Sequence, residues 1–260
     1  MEFDATFGRF RQACVDRFGE PAGARLAALA RPGFGLDRAT DAEPATGRSA
    51  LGGPALLDPG TPWPDYDGFP LSLLAVLDTD ALAGWLGEHL PRRVGLLNVF
   101  ILEPRRGVPY PPDMDFDDPR WLRVIPADPA TAVEVTTPAG DAAVFDRTPL
   151  HAEPVLTMPD KWSDAVHGID FGGEDMLNVA YAVADLYESS PDVAEAAGPG
   201  STFGWPVGEI GAIQKWEDSH THLLKLCNGP SEIPTLYFSI PTDAFRAGDF
   251  SRAVVSQETY

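Results

Sequence analysis

The chain has 260 residues, 44% of them hydrophobic, with six Trp, 25 Gly and 26 Pro. That length supports a sizeable core, and the apolar share excludes a disordered protein; the Gly and Pro content points to many turns between short strands. The formal net charge of −20 excludes a nucleic-acid-binding or anionic-lipid-binding surface as the default and fits solubility or a basic partner.

The first element is an amphipathic helix over residues 4–18, where Phe3, Phe7, Phe10, Cys14 and Phe18 recur at helical spacing. Pro21 suits the first turn of a second helix that Leu26, Leu29 and Ala30 carry to Arg31, with Gly33 and Gly35 ending it. Residues 37–49 read as a polar linker, so residues 1–47 form an N-terminal helical extension on a body spanning 48–260. From Leu51 to Pro70 the chain is rich in turns: Gly52-Gly53-Pro54, Asp58-Pro59-Gly60, Pro62-Trp63-Pro64 and Asp67-Gly68. Residues 71–77 read as a buried strand, Asp78 or Thr79 caps a helix running to about Leu90, and residues 94–102 form the next strand. Short strands follow at Trp121–Ile125, Ala132–Thr136, Ala142–Phe145 and Pro154–Met158. A short helix at 160–168, a clearer one from Glu174 to Glu188 and a loop over 191–202 lead to strands at 221–227, 235–240 and 252–257.

Two stretches match weakly. Leu51-Gly52-Gly53-Pro54, Pro62-Trp63-Pro64 and the run Leu71 to Asp78 have counterparts in Phe203-Gly204-Trp205-Pro206, Gln214-Lys215-Trp216 and the run His222 to Asn228. The expected fold class is therefore α+β: a β-rich duplicated fold of two pseudo-symmetric, mixed or mostly antiparallel repeats, roughly 48–150 and 151–260, plus the helical pair.

Charge is unevenly spread. Residues 1–50 carry seven acids and seven bases; residues 51–152 carry fifteen acids and seven bases; residues 153–218 carry thirteen acids against Lys161 and Lys215; the remainder is close to neutral. Cys14 and Cys227 are too few for a disulfide framework and read as free thiols of a reducing compartment. Met1-Glu2-Phe3-Asp4 lacks the charged start of a signal peptide, and no run has the length of a membrane span, so the expected location is cytoplasmic, without membrane association.

Candidate sites are few. Trp63, Trp205 and Trp216, with Asp65 and Gln214 nearby, could line an aromatic cleft between the halves, although filling of a shared core is the preferred reading of the three rings. Asp113, Asp115, Asp117 and Asp118 fail as a calcium loop, since Asp118 stands where Gly is needed and Val124 where Glu is needed. They read as an exposed acidic loop, or as carboxylates that enter the basic groove of a partner. His220 and His222, two apart on a strand, share a face and could hold a metal only with a third ligand; Asp218 is the nearest candidate. Gly198-Pro199-Gly200-Ser201-Thr202-Phe203-Gly204 lacks the spacing of a nucleotide loop. No Gly-x-Ser-x-Gly or His-Glu-x-x-His occurs, no catalytic residue stands out, and no cofactor is implied.

At these residues the chain resembles the YwqG-like family (domain of unknown function 1963), bacterial proteins of unknown function. Its first pattern is met by Gly52-Gly53-Pro54, Trp63-Pro64, Gly68-Phe69-Pro70-Leu71 and Leu73 to Asp78. Its second is met by Gly204-Trp205-Pro206, Ile213-Gln214, Leu223-Leu224, Leu236 to Ile240 and Asp249-Phe250, over roughly residues 48–258. Two departures stand out: Val76 replaces a strand Gln, and Gly229 to Pro234 replaces a Trp-Gly-Asp-x-Gly hairpin. The resemblance implies a duplicated α+β body with no established catalysis. The expected function is non-enzymatic binding of a basic protein partner through the acidic middle, in an immunity-type role; the alternative is a small-molecule binder or enzyme working from the aromatic cleft.

Overall fold

The structure is a computed structural model, and it describes residues 3–90, 92, 94–115, 118–193, 200–206, 219–227 and 235–258. In chain order the helices are α1 (Phe3–Phe18), α2 (Ala22–Ala27), α3 (Thr79–Leu86), α4 (Asp164–His167), α5 (Met176–Ser189) and α6 (Thr242–Ala247). The strands are β1 (Arg31–Arg38), β2 (Ala50–Leu51), β3 (Ala55–Leu57), β4 (Asp65–Tyr66), β5 (Phe69–Pro70), β6 (Ser72–Asp78), β7 (Leu96–Ile101), β8 (Leu122–Ala127), β9 (Val133–Val135), β10 (Thr148–Thr157), β11 (Gly200–Thr202), β12 (His220–Cys227), β13 (Thr235–Pro241) and β14 (Val254–Glu258). The class is α+β.

Ten strands form one antiparallel sheet in the order β14-β13-β12-β11-β1-β10-β2-β6-β7-β8. The sheet curls until β8, at one edge, meets the 3-10 turn Phe250–Arg252 that precedes β14 at the other, giving a nearly closed barrel. Every residue of β6 and β7 is buried, so both faces of the sheet are covered there. Ribbons β3–β9 and β4–β5 lie outside the main sheet.

α1 crosses several elements through its aromatic stripe. Phe3 meets Trp85 of α3 edge-on at 5.6 Å, Phe10 lies 6.5 Å from Tyr187 of α5, and Phe18 lies 5.2 Å from Phe171. α1 and α2 approach so closely that a Cβ on Gly23 would overlap the Cys14 carbonyl. Helix propensity alone favours Gly23→Ala; the overlap reverses the sign. The variant is expected to lose about 1–3 kcal/mol, read from the denaturant midpoint, and a more stable variant would show that the two helices separate freely.

Several expectations are corrected here. Residues 31–38, expected to end the second helix and open the linker, form β1 at the middle of the sheet, hydrogen-bonded to both β10 and β11. Gly33 is not a helix stop: a Cβ there would press on the Thr157 methyl and the Phe203 carbonyl, so it allows close approach of neighbouring backbone. The expected loop over 191–202 contains β11 at its end, and the expected strand Ala142–Phe145 is reduced to one bridge between Ala142 and Pro104. Between the strands expected at 235–240 and 252–257 lies the helix α6. Asp78 caps α3 as expected, accepting from Ala81 N at 3.2 Å. Among the described residues no helix is long and apolar enough to cross a membrane.

Candidate functional site

The aromatic residues singled out by the sequence act as anchors. The Trp63 indole N–H donates to the Leu71 carbonyl at 2.8 Å, and its ring meets Phe100 edge-on at 5.1 Å. Trp205 is 2% exposed; its indole N–H donates to Leu29 O at 2.6 Å and its backbone N–H to Thr157 Oγ1 at 2.7 Å. Both indole N–H groups are satisfied inside the protein, Trp205 as a buried ring and Trp63 as a half-buried one packed against the core. The Asp65 carboxylate accepts from Gly68 N at 2.7 Å and so fixes the β4–β5 turn. Gln214 and Trp216 lie outside the described residues.

The acidic loop is only partly open. Asp118 caps the 3-10 turn Pro119–Trp121 and pairs with Arg120 at 2.6 Å, while Arg120 also reaches Asp67 at 2.7 Å and lies over the Tyr66 ring. Hydrogen bonding to Arg120 holds the Asp118 carboxyl below its usual range. Asp113 and Asp115 are exposed and flank the Tyr66 hydroxyl through their backbones; Asp117 lies outside the described residues.

His220 and His222 face a common cleft of about 400 Å³ at one end of the sheet. Its walls come from the start of β1 (Arg31), the end of α3 and the following turn (Leu86, Glu88, His89), Gly204, the start of β12 and α6 (Thr242, Arg246). The Thr157 hydroxyl ties these pieces together. It donates to Arg31 O at 3.0 Å and accepts the Trp205 N–H, beneath a Gly204 whose φ of +67° and missing Cβ permit the contact. The Arg31 guanidinium stacks 3.5 Å above the Trp205 ring, which fixes that charge at the cleft wall. His220 Nδ1 is 2.8 Å from the Ser219 hydroxyl. His222 is 3% exposed and neither ring nitrogen has a partner among the described residues; burial, and then Lys225, push its pKa down to about 3, so it is neutral at physiological pH. No cluster of three metal-ligating side chains occurs among the described residues, so the histidine pair finds no third ligand there. Sequence reasoning found the histidines but missed Arg31 and Arg246.

A second surface is α5. Its outward stripe runs Glu174, Leu177, Tyr181, Asp185, Glu188, all exposed, and the helix carries no Lys or Arg. Of the five large hydrophobics that stand exposed among the described residues, two are on this stripe, Leu177 at 50% and Tyr181 at 59%.

The model of the Domain of unknown function (DUF1963) matches residues 49–258. The chain belongs to the DUF1963 family. No curated protein matches it. The matched DUF1963 segment begins after β1, yet β1 is the strand through which β10 and β11 join, so the fold needs residues that precede the family segment. Of the two cysteines, Cys14, in α1 ahead of the matched segment, is fully buried with its thiol pushed up to about 12 by desolvation, and Cys227 is half-buried at the end of β12.

Proposed function

We propose that the chain is a YwqG-like bacterial, cytoplasmic and non-enzymatic binding protein that engages a basic protein partner. The observation that carries this is the α5 stripe. Leu177 and Tyr181 place apolar area on a helix face whose charged groups are all carboxylates, and Tyr is a residue type that anchors interfaces. Charge complementarity then selects a partner with a positive surface. The composition of residues 153–218, thirteen acids against two lysines, extends the same field around the helix. Free thiols at Cys14 and Cys227 support the reducing compartment.

Capture from a lysate on the full chain at two ionic strengths, followed by purification and titration of the retained protein, tests this. A basic protein should be held at low salt, released as salt rises, and bound at least about tenfold more weakly by Leu177→Ala/Tyr181→Ala, which leaves the charge unchanged. Retention of the same proteins by both forms would sink the proposal, as would retention of nothing basic.

The duplication is part of the same reading. The four strands β2, β6, β7 and β8 flank β10 in the order in which β11, β12, β13 and β14 flank β1. The register of β6 against β7 skips Leu74, and that of β12 against β13 skips Leu223. Three residues past the paired ends Leu51 and Thr202 stand Pro54 and Trp205, after turns with φ of +57° and +80° at Gly52 and Gly53 and +58° and +67° at Phe203 and Gly204. This supports an ancestral unit copied once, with β1 ahead of the first copy and β10 ahead of the second. It also pairs Trp205 with Pro54 rather than with Trp63.

A further inference from the structure

We propose that the cleft between β12, α6 and the end of α3 binds a small organic anion. Arg31 and Arg246 would hold its carboxylate or phosphate group, and a hydroxyl or amide of the same molecule would meet the His222 imidazole. Three independent observations converge on this.

The first is charge. In a chain of net charge −20, the described cleft wall carries two guanidinium groups and one carboxylate, Glu88. Arg31 is fixed by stacking on Trp205, so little side-chain freedom is lost when it takes up an anion. Arg246 is exposed on α6 and makes no ion pair among the described residues. Guanidinium groups present planar arrays of donors that match the oxygens of carboxylate and phosphate.

The second is the orphaned imidazole. A neutral histidine has one donor and one acceptor nitrogen, and both of these on His222 are buried without a partner among the described residues. Buried polar groups are paired in the great majority of cases, so an unpaired one at a cleft wall is a mark of a ligand group that pairs with it. Either nitrogen, one a donor and the other an acceptor, suits a hydroxyl or an amide. The neighbouring Thr221 and Thr242 hydroxyls are already bonded to each other at 3.0 Å, which leaves His222 to read the ligand.

The third is shape. About 400 Å³ is within the range of small-molecule sites and too small for a folded partner. A second, more open depression of about 420 Å³ has three carboxylates, Asp58, Asp80 and Asp128, against Arg92 in its wall, and Arg92 is engaged with Ala247 O, so among the described residues it has neither a net cationic wall nor an orphaned buried group.

Calorimetric titration of the full chain with inorganic phosphate, malate and succinate tests the proposal. Saturable binding by phosphate alone would assign a phosphate ligand, and binding by the dicarboxylates alone a carboxylate. Arg246→Gln, a surface change, should weaken whichever binds by about tenfold. His222→Leu should abolish a preference for malate over succinate, the two differing by one hydroxyl, while circular dichroism stays that of the folded protein. No saturable binding by any of the three, or equal affinity in Arg246→Gln, would overturn the proposal.

Discussion

Replacing Asn98 by leucine is expected to destabilise the protein by about 3 kcal/mol. Asn98 sits on β7 with no exposed surface. Its side-chain carbonyl accepts from Leu56 N at 2.8 Å, and its amide donates to Leu56 O at 2.7 Å and to Ile125 O at 3.2 Å. Leu56 lies on β3, whose partner strand is β9, so one side chain stands in for a strand along the other edge of the ribbon. Leucine is close in volume and removes the asparagine's own polar atoms. It leaves the buried Leu56 N–H and C=O without partners, and each orphaned group costs about 1–3 kcal/mol. Denaturant melts with an unchanged slope would report the loss as a lower midpoint. A change under about 0.5 kcal/mol, the scale of ordinary surface substitutions, would mean that β3 is held by apolar packing alone.

Elements whose pattern is local were legible in the sequence. The phenylalanine spacing marks α1, the unbroken apolar runs mark β6, β7, β12 and β13, and Asp78 marks the start of α3. β1 was not legible, because Gly33 and Gly35 are also the residues that end helices. Nothing nearby says that Thr157 and Phe203, more than a hundred residues away, will press against Gly33. The same reason hid most of the cleft. His220 and His222 could be placed on one face from their spacing alone, whereas Arg31 and Arg246 come from opposite ends of the chain. The charge profile held the clue in coarse form: apart from the stretch Leu86–His89 and the pair Phe203–Gly204, the cleft wall comes from the first fifty residues and from residues beyond 219, and these two terminal stretches are those that escape the acidic excess. Composition also cannot tell that the Trp63 and Trp205 indole N–H groups each have a carbonyl partner, which is what anchors the two rings.

His222→Leu is expected to flatten the acid side of the stability profile. In the folded chain the imidazole stays neutral down to about pH 3, whereas in the unfolded chain it takes up a proton near its ordinary value of 6.5. Between these values the unfolded state binds the extra proton, so the stability that neutral burial provides is intact above about pH 6.5 and is lost as pH falls toward 3. At about pH 4 the loss amounts to roughly 3 kcal/mol, set by the distance below the unfolded value. The groups that face His222 are His220 and Lys225 on its own strand and, from the other cleft walls, Arg31, Arg246, His89 and Glu88. All of these remain in the variant. His220, whose pKa burial also lowers, therefore contributes the same acid loss to both proteins, as do Asp118 and Asp243 with their depressed carboxyl values. Guanidinium melts at about pH 7 and pH 4 isolate the difference. Leucine also removes two unpaired buried nitrogens, so the variant should be at least as stable as the wild type at pH 7. Parallel pH profiles would show that the imidazole is protonated in the folded chain, and with it the neutral donor–acceptor pair that the anion site requires would be gone.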